Sequence, residues 1–402
     1  MKELRTSSRL ARVAPSITMA VTAKAKRMRA EGIDVISFGA GEPDFDTPEH
    51  IKDAARAGLD QGVAKYTHVQ GLVELRRAIA AEIEKAHGLS FSTDEIIVST
   101  GAKQSLFNIF QALLDDGDEV VIPSPYWVSY PDMVKLAGGN PTIVTTTPDS
   151  GFTMTGKQLD AAITDKTRAM VLNTPSNPTG AVYTRDQLEE LAEVAVARDI
   201  LIISDDIYRS LVYGEASYTS IATLSKEAAE RTIVVDGVSK TYAMTGWRIG
   251  WTAGHETLIK AMAKIQGQST SGACHIAQVA ATAALTGSQD CVAEMRKSFD
   301  ARRKAIVVGL NAIDGVSCRT PEGAFYAFPD VSAFNGAKTA GGETISDDVA
   351  LAGYLLDAAK VAVVPGAGFG SPGFVRMSYA CSMDDIKSGV GRMSEALGAL
   401  SR

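Results

Sequence analysis

Four places in this chain put a reactive or polar side chain where a strand-like run gives out. Lys240 follows Ile-Val-Val-Asp-Gly-Val-Ser, Asp205 ends Leu-Ile-Ile-Ser-Asp, Asn177 follows a run closing near Asn173, and Ser99-Thr-Gly-Ala-Lys103 joins a strand to the start of a helix. A lysine amine can attack a carbonyl and, when partly neutral, carry a proton. A helix N-terminus offers free N–H groups and a positive dipole end, which suit a phosphate. Each feature alone has a plainer reading. Asp205 could cap a helix, Lys240 could be a solvated surface lysine, and Asn177 could be a turn residue between prolines. Trp127 could be core packing, and the glycine turn only a turn. The weight lies in the set, because ligands of open α/β sheets sit outside the carboxyl ends of the strands.

Such a set needs a frame. Short β-branched runs at 95–99, 119–123, 168–173, 200–205, 232–236 and 249–253 alternate with helical patterns, among them 103–114 and 186–198. This alternation predicts a doubly wound α/β domain with both sheet faces covered. The flanks differ. A basic helical stretch at 20–31 and the turn-rich Gly39-Ala-Gly-Glu-Pro-Asp-Phe-Asp-Thr-Pro48 precede it. Strand-like runs at 324–328 and 361–364 follow, separated by a glycine-rich loop near Gly341. The expected division is a large domain over 48–299 and a smaller α+β domain built from 1–47 and 300–402, linked by one long helix around 280–303.

Composition narrows the function classes. The 402 residues are too many for one ordinary core, and 45% hydrophobic with 22% charged residues is ordinary for a globular protein. A net charge of −7 argues against nucleic acid or an anionic membrane as the main partner. No apolar run is long enough to span a bilayer, and the basic N-terminus lacks a signal-peptide pattern. Cys274, Cys291, Cys318 and Cys381 form no C-x-x-C pair, so a cytoplasmic location is expected and no metal site.

Six motifs occur in one order. Gly237-Val-Ser-Lys-Thr-Tyr-Ala-Met-Thr-Gly-Trp-Arg-Ile-Gly250 resembles the lysine attachment signature of the fold-type-I pyridoxal-phosphate aminotransferases, and the whole chain is similar to bacterial aspartate aminotransferases of subgroup Iβ. Asn177-Pro-Thr-Gly180, Asp205-Asp-Ile-Tyr208 and Val375-Arg-Met-Ser-Tyr379 match further signatures of that family. Gly41-Glu-Pro-Asp-Phe-Asp-Thr-Pro48 and Ser124-Pro-Tyr-Trp-Val-Ser-Tyr-Pro131 look like the Iβ branch.

The resemblance implies a mostly parallel seven-stranded sheet, pyridoxal 5'-phosphate as cofactor, and transfer of an amino group from L-aspartate or a related amino acid to 2-oxoglutarate by a ping-pong route. It implies that Lys240 attaches the cofactor and shuttles the proton. Asp205 then keeps the pyridine nitrogen protonated, with Asp206 the competing candidate. Asn177 and Tyr208 contact the phenolic oxygen, and Trp127 stacks on the ring. Gly101, Ala102, Lys103 and Arg248 hold the phosphate, with Tyr66 from a second subunit, which implies a homodimer. Many members carry serine where Gly237 stands, so one phosphate hydroxyl is missing, and whether Ser239 replaces it is open. Arg376 clamps the α-carboxylate, with Gly41, Trp127 and Asn177 beside it, and Lys103 is the candidate for a distal carboxylate. Relatives active on prephenate carry a lysine before a Pro-Ser pair. Here Ala14 precedes Pro15-Ser16, so prephenate is expected to be poor. The alternatives are aromatic or prephenate specificity, a pyridoxal-phosphate lyase, and a non-enzymatic sensor domain.

Overall fold

The structure, a computed structural model, describes residues 6–13 and 17–402. Twelve strands are described in chain order. After the short β1 (Ile36–Ser37) come β2 (Ile96–Ser99), β3 (Glu119–Ser124), β4 (Asn140–Thr145), β5 (Thr167–Asn173), β6 (Leu201–Asp205), β7 (Thr232–Gly237) and β8 (Gly250–Ala253). These seven form one sheet in the order β2-β8-β7-β6-β5-β3-β4. Only β8 runs antiparallel to its neighbours. Strands β2, β7 and β8 are buried along their whole length, as expected of strands covered on both faces. Helices Glu49–Asp60, Val73–His87 and His275–Thr286 pack on one face, and helices Ala102–Leu113 and Glu256–Ser269 on the other.

Strand β4 has no counterpart in the sequence reading. It begins Asn140-Pro141 and lies at the sheet edge, the position where a strand tolerates a proline.

A second core gathers the remaining chain. Strands β9 (Tyr326–Ala327), β10 (Val361–Ala362), β11 (Val364–Pro365) and β12 (Val375–Ser378) form short sheets, with β11-β12-β9 antiparallel and β10 parallel to β1. Phe38, Phe299, Phe325 and Tyr379 are buried there with helix Met383–Gly398. The expected single helix around 280–303 is two helices, His275–Thr286 and Asp290–Asn311. The break has a local cause. A Cβ at Gly287 would come within 2.7 Å of the Ala283 carbonyl, and the Ser288 hydroxyl accepts the Asp290 N–H at 3.2 Å. Among the described residues no helix is long and apolar enough to cross a membrane.

Candidate active site

Strand β7 ends at Gly237 and turns straight into the short helix Val238–Thr241, which carries Lys240. A Cβ at Gly237 would meet the Ile249 carbonyl at 2.8 Å and Gly250 Cα at 2.9 Å, so the backbone packs where a side chain would stand. Lys240 Nζ donates to the Gly41 carbonyl at 2.5 Å. Burial, resisted by Glu42 and aided by Arg376 and Arg248, brings its amine down to about 8. That satisfies the requirement for a partly neutral lysine.

Asp205 closes β6 and faces the same cavity. Tyr130 donates its hydroxyl to one carboxylate oxygen at 2.6 Å, and the Ile207 N–H reaches the other at 3.4 Å. Among the described residues no lysine or arginine is paired with Asp205, and burial pushes its carboxyl up to about 6. Asp206 does not line the cavity. It accepts from Ser204 at 2.6 Å, buried on the far side.

The helix Ala102–Leu113 starts directly after β2. Gly101 has φ +81, a backbone conformation that favours glycine, and a Cβ there would lie 2.6 Å from a terminal nitrogen of the Arg248 side chain. Arg248 donates to the Thr245 carbonyl at 2.7 Å. Ala102, Lys103, Arg248 and Ser239 all line the cavity. Lys103 Nζ lies 5.3 Å from the centre of the Trp127 ring, and burial beside Arg248 lowers its pKa.

Across the cavity, Arg376 on β12 donates to Asn177 Oδ1 at 3.0 Å and to the Gly39 carbonyl at 2.9 Å. Its guanidinium lies between Tyr326 at 4.6 Å and Phe369 at 5.1 Å, and its buried Nε has no partner. The Tyr208 and Tyr326 hydroxyls are 2.7 Å apart. The cavity enclosed by these groups is about 300 Å³.

The family model described as aminotransferase class I and II matches residues 33–393. The chain belongs to that family. It is an aminotransferase. The aspartate aminotransferase of Bacillus sp. strain YM-2 is 48% identical to the enzyme over 98% of this chain and 99% of the relative. The aspartate/prephenate aminotransferase of Cereibacter sphaeroides is 50% identical, with 98% and 99% covered. The solved aspartate aminotransferase of Rhizobium meliloti superposes with a TM-score of 0.96 at 45% identity, covering 99% of this chain and 100% of that one. That of Thermus thermophilus with maleate gives 0.92 at 44% identity, covering 98% and 100%.

Of the site residues expected for this aminotransferase, all line the cavity except Gly101, which packs beneath Arg248, and Tyr66, which is 97% exposed. Tyr130, Asn173, Ser239, Tyr326 and Phe369 also line it. Tyr130 lies inside the motif Ser124–Pro131 and stands in the first turn of helix Ser129–Leu136. Tyr326 and Phe369 carried no sequence signal, because only the fold of the second core brings them to Arg376.

Proposed function

We propose that the enzyme moves the amino group of L-aspartate to 2-oxoglutarate, releasing oxaloacetate and then L-glutamate, with pyridoxal 5'-phosphate held beside Lys240. One observation carries this reading: a single cavity collects a lysine of lowered pKa, a buried carboxylate lacking a cation, a helix N-terminus backed by arginine, and an arginine with an unpartnered Nε. The first three fit this cofactor's aldehyde, protonated ring nitrogen and phosphate.

When bound, the cofactor supplies a carbonyl for the amine and a ring that withdraws electrons from the substrate Cα. Lys240 would be the point of covalent attachment, and its amine, freed when the substrate's amine takes its place, would carry the proton removed from the substrate Cα. Asp205 holds the proton on the ring nitrogen, gaining the cation it lacks. Asn177 and Tyr208 donate to the phenolic oxygen, and Trp127 covers one ring face. Ala102, Lys103, Ser239 and Arg248 hold the phosphate, and Arg376 takes the α-carboxylate through its planar fork, beside Gly41 and Asn177. Lys103 also serves the distal carboxylate of a dicarboxylic substrate. Tyr66 completes the phosphate site of a second subunit, which its exposure supports, so the unit is a homodimer. We place the enzyme in the cytoplasm, consistent with four free thiols. The division into 48–299 against 1–47 with 300–402 is supported by the main sheet falling in the first and the short sheets in the second.

Specificity toward prephenate is the second reading, favoured by the name of the Cereibacter relative. Against it stands Ala14 before Pro15-Ser16, all three outside the described residues. An amino-donor panel at fixed 2-oxoglutarate, with prephenate as an alternative acceptor, tests both. Aspartate should give the highest kcat/KM and yield oxaloacetate. Higher turnover with prephenate or aromatic donors, or release of pyruvate and ammonia, overturns the aspartate reading.

A further inference from the structure

The cavity wall holds a pair of phenols of which the proposed chemistry uses only one. Tyr208 and Tyr326 are both buried with hydroxyls 2.7 Å apart, an arrangement in which either can donate. Tyr326 sits on β9, in the second core, and its ring carries the Arg376 guanidinium at 4.6 Å. Its hydroxyl also lies against the segment that meets Lys240, since a Cβ at Gly41 would be 3.3 Å from it.

Each phenol has one proton. Once Tyr208 turns its proton toward a phenolic oxygen in the cavity, its own oxygen can only accept, and Tyr326 is the donor beside it. An accepted hydrogen bond polarises the O–H and strengthens its donation. We propose that Tyr326 is a positioning residue acting through Tyr208: its hydroxyl donates to the Tyr208 oxygen and holds the Tyr208 proton on the cofactor's phenolic oxygen, while its ring face supports Arg376. This rests on the cofactor binding as proposed above. The two functions of one side chain are therefore separable, because Tyr326→Phe removes the hydroxyl and keeps the ring.

A weaker donation to the phenolic oxygen disfavours its more anionic form, so the proton shared with the Lys240 nitrogen is held more tightly. The absorbance titration of cofactor-loaded, substrate-free Tyr326→Phe should then have a midpoint about 0.3 to 1 pH unit above wild type. Affinity for maleate, which reads Arg376, should stay within about twofold, because the ring remains. In a Tyr208→Phe background the same change should move the midpoint by under about 0.2 unit, because the effect passes through Tyr208. Placing 3-fluorotyrosine at 326, a stronger donor of the same shape, should move the midpoint down and gives a reading should Tyr326→Phe fold poorly. An unchanged midpoint in both variants overturns the inference, as does an equal shift with Tyr208 already replaced. A wild-type protein that shows no cofactor absorbance instead sinks the reading of the site on which the inference rests.

Discussion

Lys240 and Lys103 share one cavity yet differ in what holds them. Lys240 hydrogen-bonds to a backbone carbonyl, whereas Lys103 lies over an indole and next to Arg248. Lys240→Ala should leave a folded protein with far less than about a tenth of wild-type kcat, since nucleophile and proton carrier go together. Lys103→Ala should lower kcat/KM for aspartate by about one to two orders of magnitude, the worth of a charge-assisted hydrogen bond, and lower it much less for phenylalanine. An equal loss for both donors, in steady-state kinetics, would assign Lys103 to the phosphate alone. The adjacent carboxylates separate by pH. Burial raises Asp206 from 3.8 to about 7, so the folded state holds its proton more tightly than the unfolded state. Its contribution is complete below pH 3.8 and is lost as pH rises to about 7. Asp206→Asn should therefore gain in Tm relative to wild type across that window, while Asp205→Asn should damage turnover. A crippled Asp206→Asn enzyme with an active Asp205→Asn would reverse the roles. Motif residues such as Lys240, Asp205 and Arg376 were legible in the sequence because their types and order are specific. Tyr326 and Phe369 were not, since an aromatic beside an arginine is a tertiary fact.

The elements bearing these residues are tied together from beneath. Arg209, the residue after Tyr208, donates to Asp236 at 2.6 Å and to Glu82 at 2.5 Å, and Asp236 in turn accepts the Gly237 N–H at 2.7 Å. One guanidinium thus joins the end of β6, the end of β7 and helix Val73–His87. Arg209→Ala would leave the buried Asp236 and the partly buried Glu82 without their cation and should cost about 3 kcal/mol of stability. Urea unfolding of the cofactor-free protein measures this, and a loss below about 1 kcal/mol would mean the network behaves like a surface pair. At this scale the hydrophobic runs predicted six of the seven main strands. The seventh, β4, has a proline as its second residue and is partly exposed at the edge, so its pattern is weak. The long helix divides at Gly287, and Thr286-Gly-Ser-Gln-Asp290 interrupts the apolar periodicity there, a helix-stop signal that the single-helix expectation passed over. The run at 361–364 is similarly two strands, β10 and β11, serving different sheets.

For the molecule as a whole, Tyr66 is the test of assembly. Its ring stands at 97% exposure, where it is free to reach a second chain. Tyr66→Phe should weaken cofactor retention, and subunit exchange with an inactive Lys240→Ala chain should give heterodimers with one restored site. No complementation after exchange would place Tyr66 in the service of its own chain.

The bond from Arg376 to the Gly39 carbonyl joins positions 337 residues apart. At ribosomal rates of about 5–20 residues per second, the glycine emerges roughly 17 to 70 seconds before the arginine that closes on it. The nascent sheet with Lys240 is complete in the meantime, while Ile36 and Phe38 wait without the strands that bury them. Newly made chains are therefore exposed to aggregation at Ile36 and Phe38, and that interval is where a chaperone would engage.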